Sequence, residues 1–184
     1  MSTSTYTSNW QSLNIFQSCF PNSFVGFQRN AGITSKCFYA AMQAELLVIL
    51  RQHFGKQGRV YPEWTLKLRC NERDWFPVPA LTYISYEKLD ANWMLDEFCP
   101  IAPDLIVEIV GKNQRLDRIV EKVDDYLESG VTRVYLVNPY SQSITISAHN
   151  QATQTFTGEM IIDNQIFANL NLTAKNIFEQ AGFS

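Results

Sequence analysis

Apolar residues recur along this chain at three different spacings, and each spacing predicts a kind of element. Between Ser35 and Phe54 they fall at Phe38, Ala41, Met42, Leu46, Ile49, Leu50 and Phe54, the three-and-four rhythm of one helix face. Gly55 is the expected stop. Glu45 falls within that stripe, not on the polar side, and reads either as a stripe-edge residue or as an inward carboxylate. The rhythm returns more cleanly from Leu116 to Ser129, with Leu116, Ile119, Val120, Val123, Tyr126 and Leu127 on one face and Gly130 as terminator. Alternation marks Gly58 to Leu68 as a strand, with Trp64, Leu66 and Leu68 on one side and Tyr61, Glu63, Thr65 and Lys67 on the other. The polar segment Arg69 to Asp74 turns the chain, and Trp75 to Ser85 is the returning strand, its prolines confined to an edge or to its entry.

The third pattern is an unbroken apolar run. Ala102 to Val110 and Val131 to Val137 are short, rich in β-branched residues, and bounded by proline or glycine, as fully buried strands are. With the helix between them they make a βαβ crossover, so the two strands are expected to be parallel and the connection right-handed. Tyr86 to Pro100 is a connector with one helical turn. Ser143 to His149 and Gln154 to Ile162 read as outer strands, and Thr173 caps a last helix from Ala174 to Ala181. Residues 1 to 9 are polar and read as disordered, while Trp10 to Phe24 is aromatic without period. A turn at Pro21-Asn22 and a loop over Asn30 to Thr34 lead into the first helix. The expected division is an N-terminal extension, residues 1–30, and a single α/β domain, residues 31–184.

Composition narrows the class. With 184 residues, 46% apolar and 18% charged, the chain can build one sizeable core. A net charge of −3 argues against a broad non-specific nucleic-acid surface, although a local basic patch is compatible with it. The four cysteines are scattered with no paired spacing, which argues against structural zinc. The polar start lacks the pattern of a signal peptide, and no apolar run approaches the roughly 20 residues of a membrane span. A cytoplasmic protein without membrane partners is the expectation.

One residue breaks its own pattern. Glu108 lies inside the apolar run, where an ionised carboxylate is costly unless it is paired or holds a metal. Alternation puts Asp104, Ile106, Glu108 and Val110 on one face. Lys122, on the crossover helix, lies just off the apolar stripe and either snorkels to solvent or reaches the end of the strand that carries Glu108. Lys112, Arg115 and Arg118 follow that strand, where ligands of α/β sheets bind, and are candidate phosphate contacts or simply a solvated loop.

Taken in order, Val60-Tyr61-Pro62-Glu63, Val78 to Ile84, Pro103 to Val110, Glu121-Lys122 with Tyr126-Leu127, and Gly130 to Val137 resemble the Uma-type family of restriction-endonuclease-like proteins, in the PD-(D/E)xK nuclease superfamily. The resemblance runs from Ala31 to Ile146. It implies a restriction-endonuclease-like core, a central mixed sheet flanked by helices, and cleavage of DNA phosphodiesters with Mg²⁺ or Mn²⁺. In that pattern Glu108 matches the metal-binding glutamate, and Lys122, on the following helix, matches the lysine that orients the attacking water. The pattern's aspartate falls on Ala80, so the frame Val78-Pro79-Ala80-Leu81 lacks its carboxylate. Glu63 or Glu45 would have to supply a second ligand. Two readings follow: a nuclease with an altered or impaired metal site, or a silent relative that keeps the fold to bind nucleic acid or protein. Cutting both strands needs two sites, so a homodimer is expected of the first.

Overall fold

The computed structural model describes residues 36–162 and 171–183. The expectations for the aromatic extension and for the loop over Asn30 to Thr34 lie outside them. Helix α1 covers Cys37–Phe54 and packs Met42, Leu46, Ile49, Leu50 and Phe54 inward. Phe38, expected in that stripe, is instead exposed at the first turn. Strand β1, Gly58–Pro62, ends much sooner than the alternation suggested. Glu63 takes φ 49°, the left-handed region, which a strand cannot contain, and so the run to Leu68 is cut. Strands β2, Leu68–Cys70, and β3, Arg73–Trp75, then form a small hairpin of their own around Asn71 and Glu72, both at positive φ. Pro77 and Pro79 lie in the extended link between β3 and strand β4, Leu81–Ser85, where no ladder needs their missing N–H.

The connector 86–100 holds no helix; it has one helical turn, closed by Leu89 N–H donating to the Ser85 carbonyl at 3.0 Å, and a second turn closed by Trp93 N–H on the Asp90 carbonyl at 3.0 Å. Strand β5, Leu105–Ile109, is buried throughout. Helix α2, Leu116–Glu128, carries the chain to strand β6, Arg133–Asn138, which pairs with β5 in parallel. The expected crossover is present. Strands β7, Ser143–Ala148, and β8, Gln154–Thr157, extend the sheet outward, with β8 stopping at a turn around Gly158 (φ 53°). Helix α3, Ala174–Gln180, starts at Thr173, whose hydroxyl accepts from Asn176 N–H at 3.1 Å while Asn176 Oδ1 receives the Thr173 N–H.

The main sheet therefore has the order β1-β4-β5-β6-β7-β8, mixed, with one parallel pair at its centre. Its strands bury opposite faces in two cores. Leu105, Val107 and Ile109 pack with α1 and α3, whereas Ile106 and Val134 pack with Val123 and Tyr126 of α2 and with Leu66 and Leu68 near the hairpin. Two layers of helix over one mixed sheet is the expected α/β architecture. Among the described residues, no helix is long and apolar enough to cross a membrane.

Candidate active site

Strand parity turns Glu108 toward α2, where Tyr126 and Lys122 meet it. Tyr126 donates its hydroxyl to Glu108 Oε1 at 2.7 Å, and Lys122 Nζ lies 2.6 Å from the same oxygen. Lys122 also sits over the Tyr126 ring, 5.5 Å from its centroid. The buried face of α2 thus carries Ile119, Val123 and Tyr126 with Lys122 drawn in beside them. Leu116 and Val120, expected in that stripe, are 56% and 53% exposed. The pairing at Glu108 explains the exchange: a buried carboxylate needs a charged partner more than the core needs one more valine at the stripe's edge.

Cross-strand register places the neighbouring positions. The β4–β5 ladder pairs Thr82 with Ile106 and Leu81 with Val107 and ends there, with Ala80 the next residue beyond β4 and Glu108 the next along β5. The β1–β4 ladder ends at Pro62 with Leu81, and just beyond it Glu63 N–H donates to the Ala80 carbonyl at 3.3 Å. Glu63, Ala80 and Glu108 are thus a row of chain positions at one end of the sheet, with Ala80 fully buried in the α1-side core and Glu108 turned toward α2. Gln43 of α1 donates to the same Ala80 carbonyl at 3.0 Å, tying the helix to this row.

Tyr39 lies one turn before Gln43. Burial first, then the Glu108 and Glu63 carboxylates, push its phenol up from the ordinary tyrosine value, so both charges reach one hydroxyl. Burial and then Glu108 also hold Tyr126 well above that value, keeping it a hydrogen-bond donor. Thr82 Oγ1, two residues along β4 from Ala80, is buried without a hydrogen-bond partner among the described residues. Neither tyrosine nor Gln43 stood out in the sequence as part of a site. For Tyr126 the signal was its place one turn after Lys122 on the same face of α2.

The remaining candidates sit elsewhere. Glu45 lies two residues from Gln43, roughly 160° around α1 from the flank that meets Ala80, and is half-buried. Arg115 pairs with Asp117 at 2.5 Å and Arg118 with Glu121 at 3.0 Å on the exposed first turns of α2, while Lys112 is exposed in the loop after β5. Asp104, at the other end of β5, accepts the Ser85 N–H at 2.8 Å and pairs with Lys88, so its role is to hold a turn.

The six-stranded mixed sheet flanked by helices is the restriction-endonuclease-like fold. The chain belongs to the Uma2 family, whose model, described as "Putative restriction endonuclease", matches residues 36–175. Among solved structures it resembles a crystal structure titled as a putative nuclease belonging to DUF820 from Anabaena variabilis ATCC 29413. That likeness has a TM-score of 0.68 at 19% identity, covering 78% of this chain and 82% of that one. A weaker likeness, TM-score 0.38 at 14% identity over 77% of this chain and 96% of that one, is to the DrdV–DNA complex seen by cryo-electron microscopy. Among curated proteins, none matches.

Proposed function

We propose that this protein is a metal-dependent nuclease acting on DNA, with Glu108 and Glu63 as the carboxylates of its site and Lys122 as its cation. The observation that carries the reading is the pairing of buried Glu108 with Lys122 at the end of the central strand, in a chain of a restriction-endonuclease family. The donor set suits a hard cation. Among the described residues Glu108 Oε2 receives no hydrogen bond, Glu63 acts with Glu108 on the same Tyr39 hydroxyl, and Mg²⁺ retains several waters and takes one or two carboxylates with substrate phosphate. When bound, Mg²⁺ or Mn²⁺ would supply Lewis-acid polarisation of the phosphate and charge neutralisation. Lys122 would donate to the attacking water and offset charge building on the phosphate oxygens, and Tyr126 would fix the carboxylate's rotamer. Lys112, Arg115 and Arg118 would contact flanking phosphates, and a twofold dimer would bring two sites to a duplex.

A second reading rests on Ala80. The central position of the row lacks a carboxylate, and a silent relative that binds nucleic acid or protein would have the same fold. A plasmid-cleavage assay with Mg²⁺ and Mn²⁺ separates the two, run on the parent, Glu108→Ala, Glu63→Gln and Ala80→Asp. Cleavage by the parent that both Glu108→Ala and Glu63→Gln abolish is the expected result. Silence in the parent with activity in Ala80→Asp would mean a site disabled at one carboxylate. Four silent proteins, each folded by circular dichroism, would sink the nuclease reading.

A further inference from the structure

We propose that the cavity between the end of β1 and the 93–97 loop is a binding site for a compact alkylammonium group. It is an open cleft of about 470 Å³, within the size range of small-ligand sites. Tyr61, Trp64 and Trp93 form its aromatic walls. Tyr61 and Trp64 meet at 84° with centroids 5.4 Å apart, and Trp93 is inclined 45° to Trp64 at 5.8 Å. Walls so inclined offer no parallel platform for a planar base. The rings pack on one another in series and together line the cleft, and aromatic faces attract a cation.

Charge points the same way. Glu63, Asp96 and Glu97 line the cavity and are exposed, so its rim repels phosphate and favours a cation. The one basic residue in the lining, Arg59, is buried and committed elsewhere. Its guanidinium donates to the carbonyls of Leu89, Asp90, Ala91 and Trp93 at 2.6–3.0 Å, and lies 5.2 Å from the Tyr86 ring centroid. Those same bonds fix the loop that carries Trp93, and Trp64 Nε1–H donates to the Glu97 carbonyl at 3.0 Å. The walls are thus set before any ligand arrives, which lowers the ordering cost of binding. Exposed Met94, also in the lining, adds a polarisable contact. The site is independent of the nuclease reading and shares only Glu63 with it.

Tryptophan fluorescence of the full chain tests this, because Trp64 and Trp93 are two of the walls. The titrants are choline as a free quaternary ammonium ion, a glycine peptide bearing one lysine as a side-chain source, and the uncharged isostere of choline with carbon in place of nitrogen. A saturable change with choline or with the lysine peptide, and binding of the isostere weaker by roughly tenfold or more, is the expected result. Which amine binds more tightly tells the free from the protein-borne source. Asp96→Asn with Glu97→Gln, both on the exposed loop, should weaken the amine severalfold at an unchanged melting temperature, and Trp93→Ala should remove the response. Equal binding of the isostere would make this a merely apolar cavity. Saturation by an oligothymidylate but by neither amine would make it a base-stacking surface. No response to any titrant would also overturn the proposal.

Discussion

One oxygen of Glu108 receives both Lys122 and Tyr126, and single substitutions here act by stranding the groups left behind. The Lys122 side chain retains 21% of its exposure, so the penalty is that of a partly screened pair. Glu108→Ala is expected to cost about 2–3 kcal/mol and Lys122→Met a similar amount, below the full cost of opening a wholly buried pair. Removing both, as Glu108→Ala with Lys122→Met, should cost less than the sum of the two, because no unpaired charge remains; urea melts of the four proteins give the coupling directly. A double variant as unstable as the sum of the singles would mean that the pair is not coupled. Tyr126 adds a pH dependence of definite sign. Its folded pKa lies above the ordinary value of 10.0, so the folded state holds a proton that the unfolded chain releases. That stability is fully present below pH about 10 and is lost as pH rises from there toward the folded pKa. Tyr126→Phe should lose about 1 kcal/mol at neutral pH, from the missing hydrogen bond, and show a shallower fall in melting temperature between pH 9 and 11, as rough bounds.

At the scale of elements, the sharpest constraint is the approach of β1 to β4. A Cβ on Gly58 would lie 2.3 Å from the Ile84 carbonyl oxygen and 2.6 Å from the Tyr83 ring. The oxygen belongs to the paired strand, so the ladder itself would have to move. Gly58→Ala is expected to cost about 3 kcal/mol, seen as a lower urea midpoint at an unchanged slope; a near-parental midpoint would show that β1 shifts freely. The elements that were legible in the sequence are those fixed by local pattern. The crossover β5-α2-β6 follows from two apolar runs and one periodic helix, and Thr173 announces α3 through its own side chain. What the pattern missed was decided by distant partners or by one backbone angle. The alternation from Gly58 to Leu68 passes smoothly through Glu63, yet its left-handed conformation divides the segment into β1 and a hairpin. Val120 outranks Lys122 as an apolar residue, but only Glu108, from another element, determines that the lysine is the one held inward. The row Glu63-Ala80-Glu108 needs the register of three strands, which no local spacing encodes.

For the whole molecule, a net charge of −3 must be reconciled with the polyanionic substrate proposed above. The basic residues that would meet phosphates are gathered beyond the end of β5, and two of the three already face acids of their own helix, Arg115 with Asp117 and Arg118 with Glu121. Such exposed pairs are weak and would exchange toward a phosphate, but the carboxylates stay nearby and offset much of the gain. Lys112, exposed in the loop after β5, should therefore contribute the largest single phosphate contact. Each neutralised phosphate adds about −0.9 to the slope of log affinity against log salt on duplex DNA, so three contacts set a ceiling near −3 and the acids lower it. Fluorescence anisotropy of a labelled duplex across salt concentrations, in Ca²⁺ to hold cleavage back, should give a slope of about −1 to −2, and Lys112→Ala should make it shallower by nearly one unit. Arg115→Ala and Arg118→Ala should each change it by less, since each variant also frees an acid. A steep slope that Lys112→Ala leaves untouched would place the DNA on another face, and the row at the end of the sheet would then have no substrate leading to it.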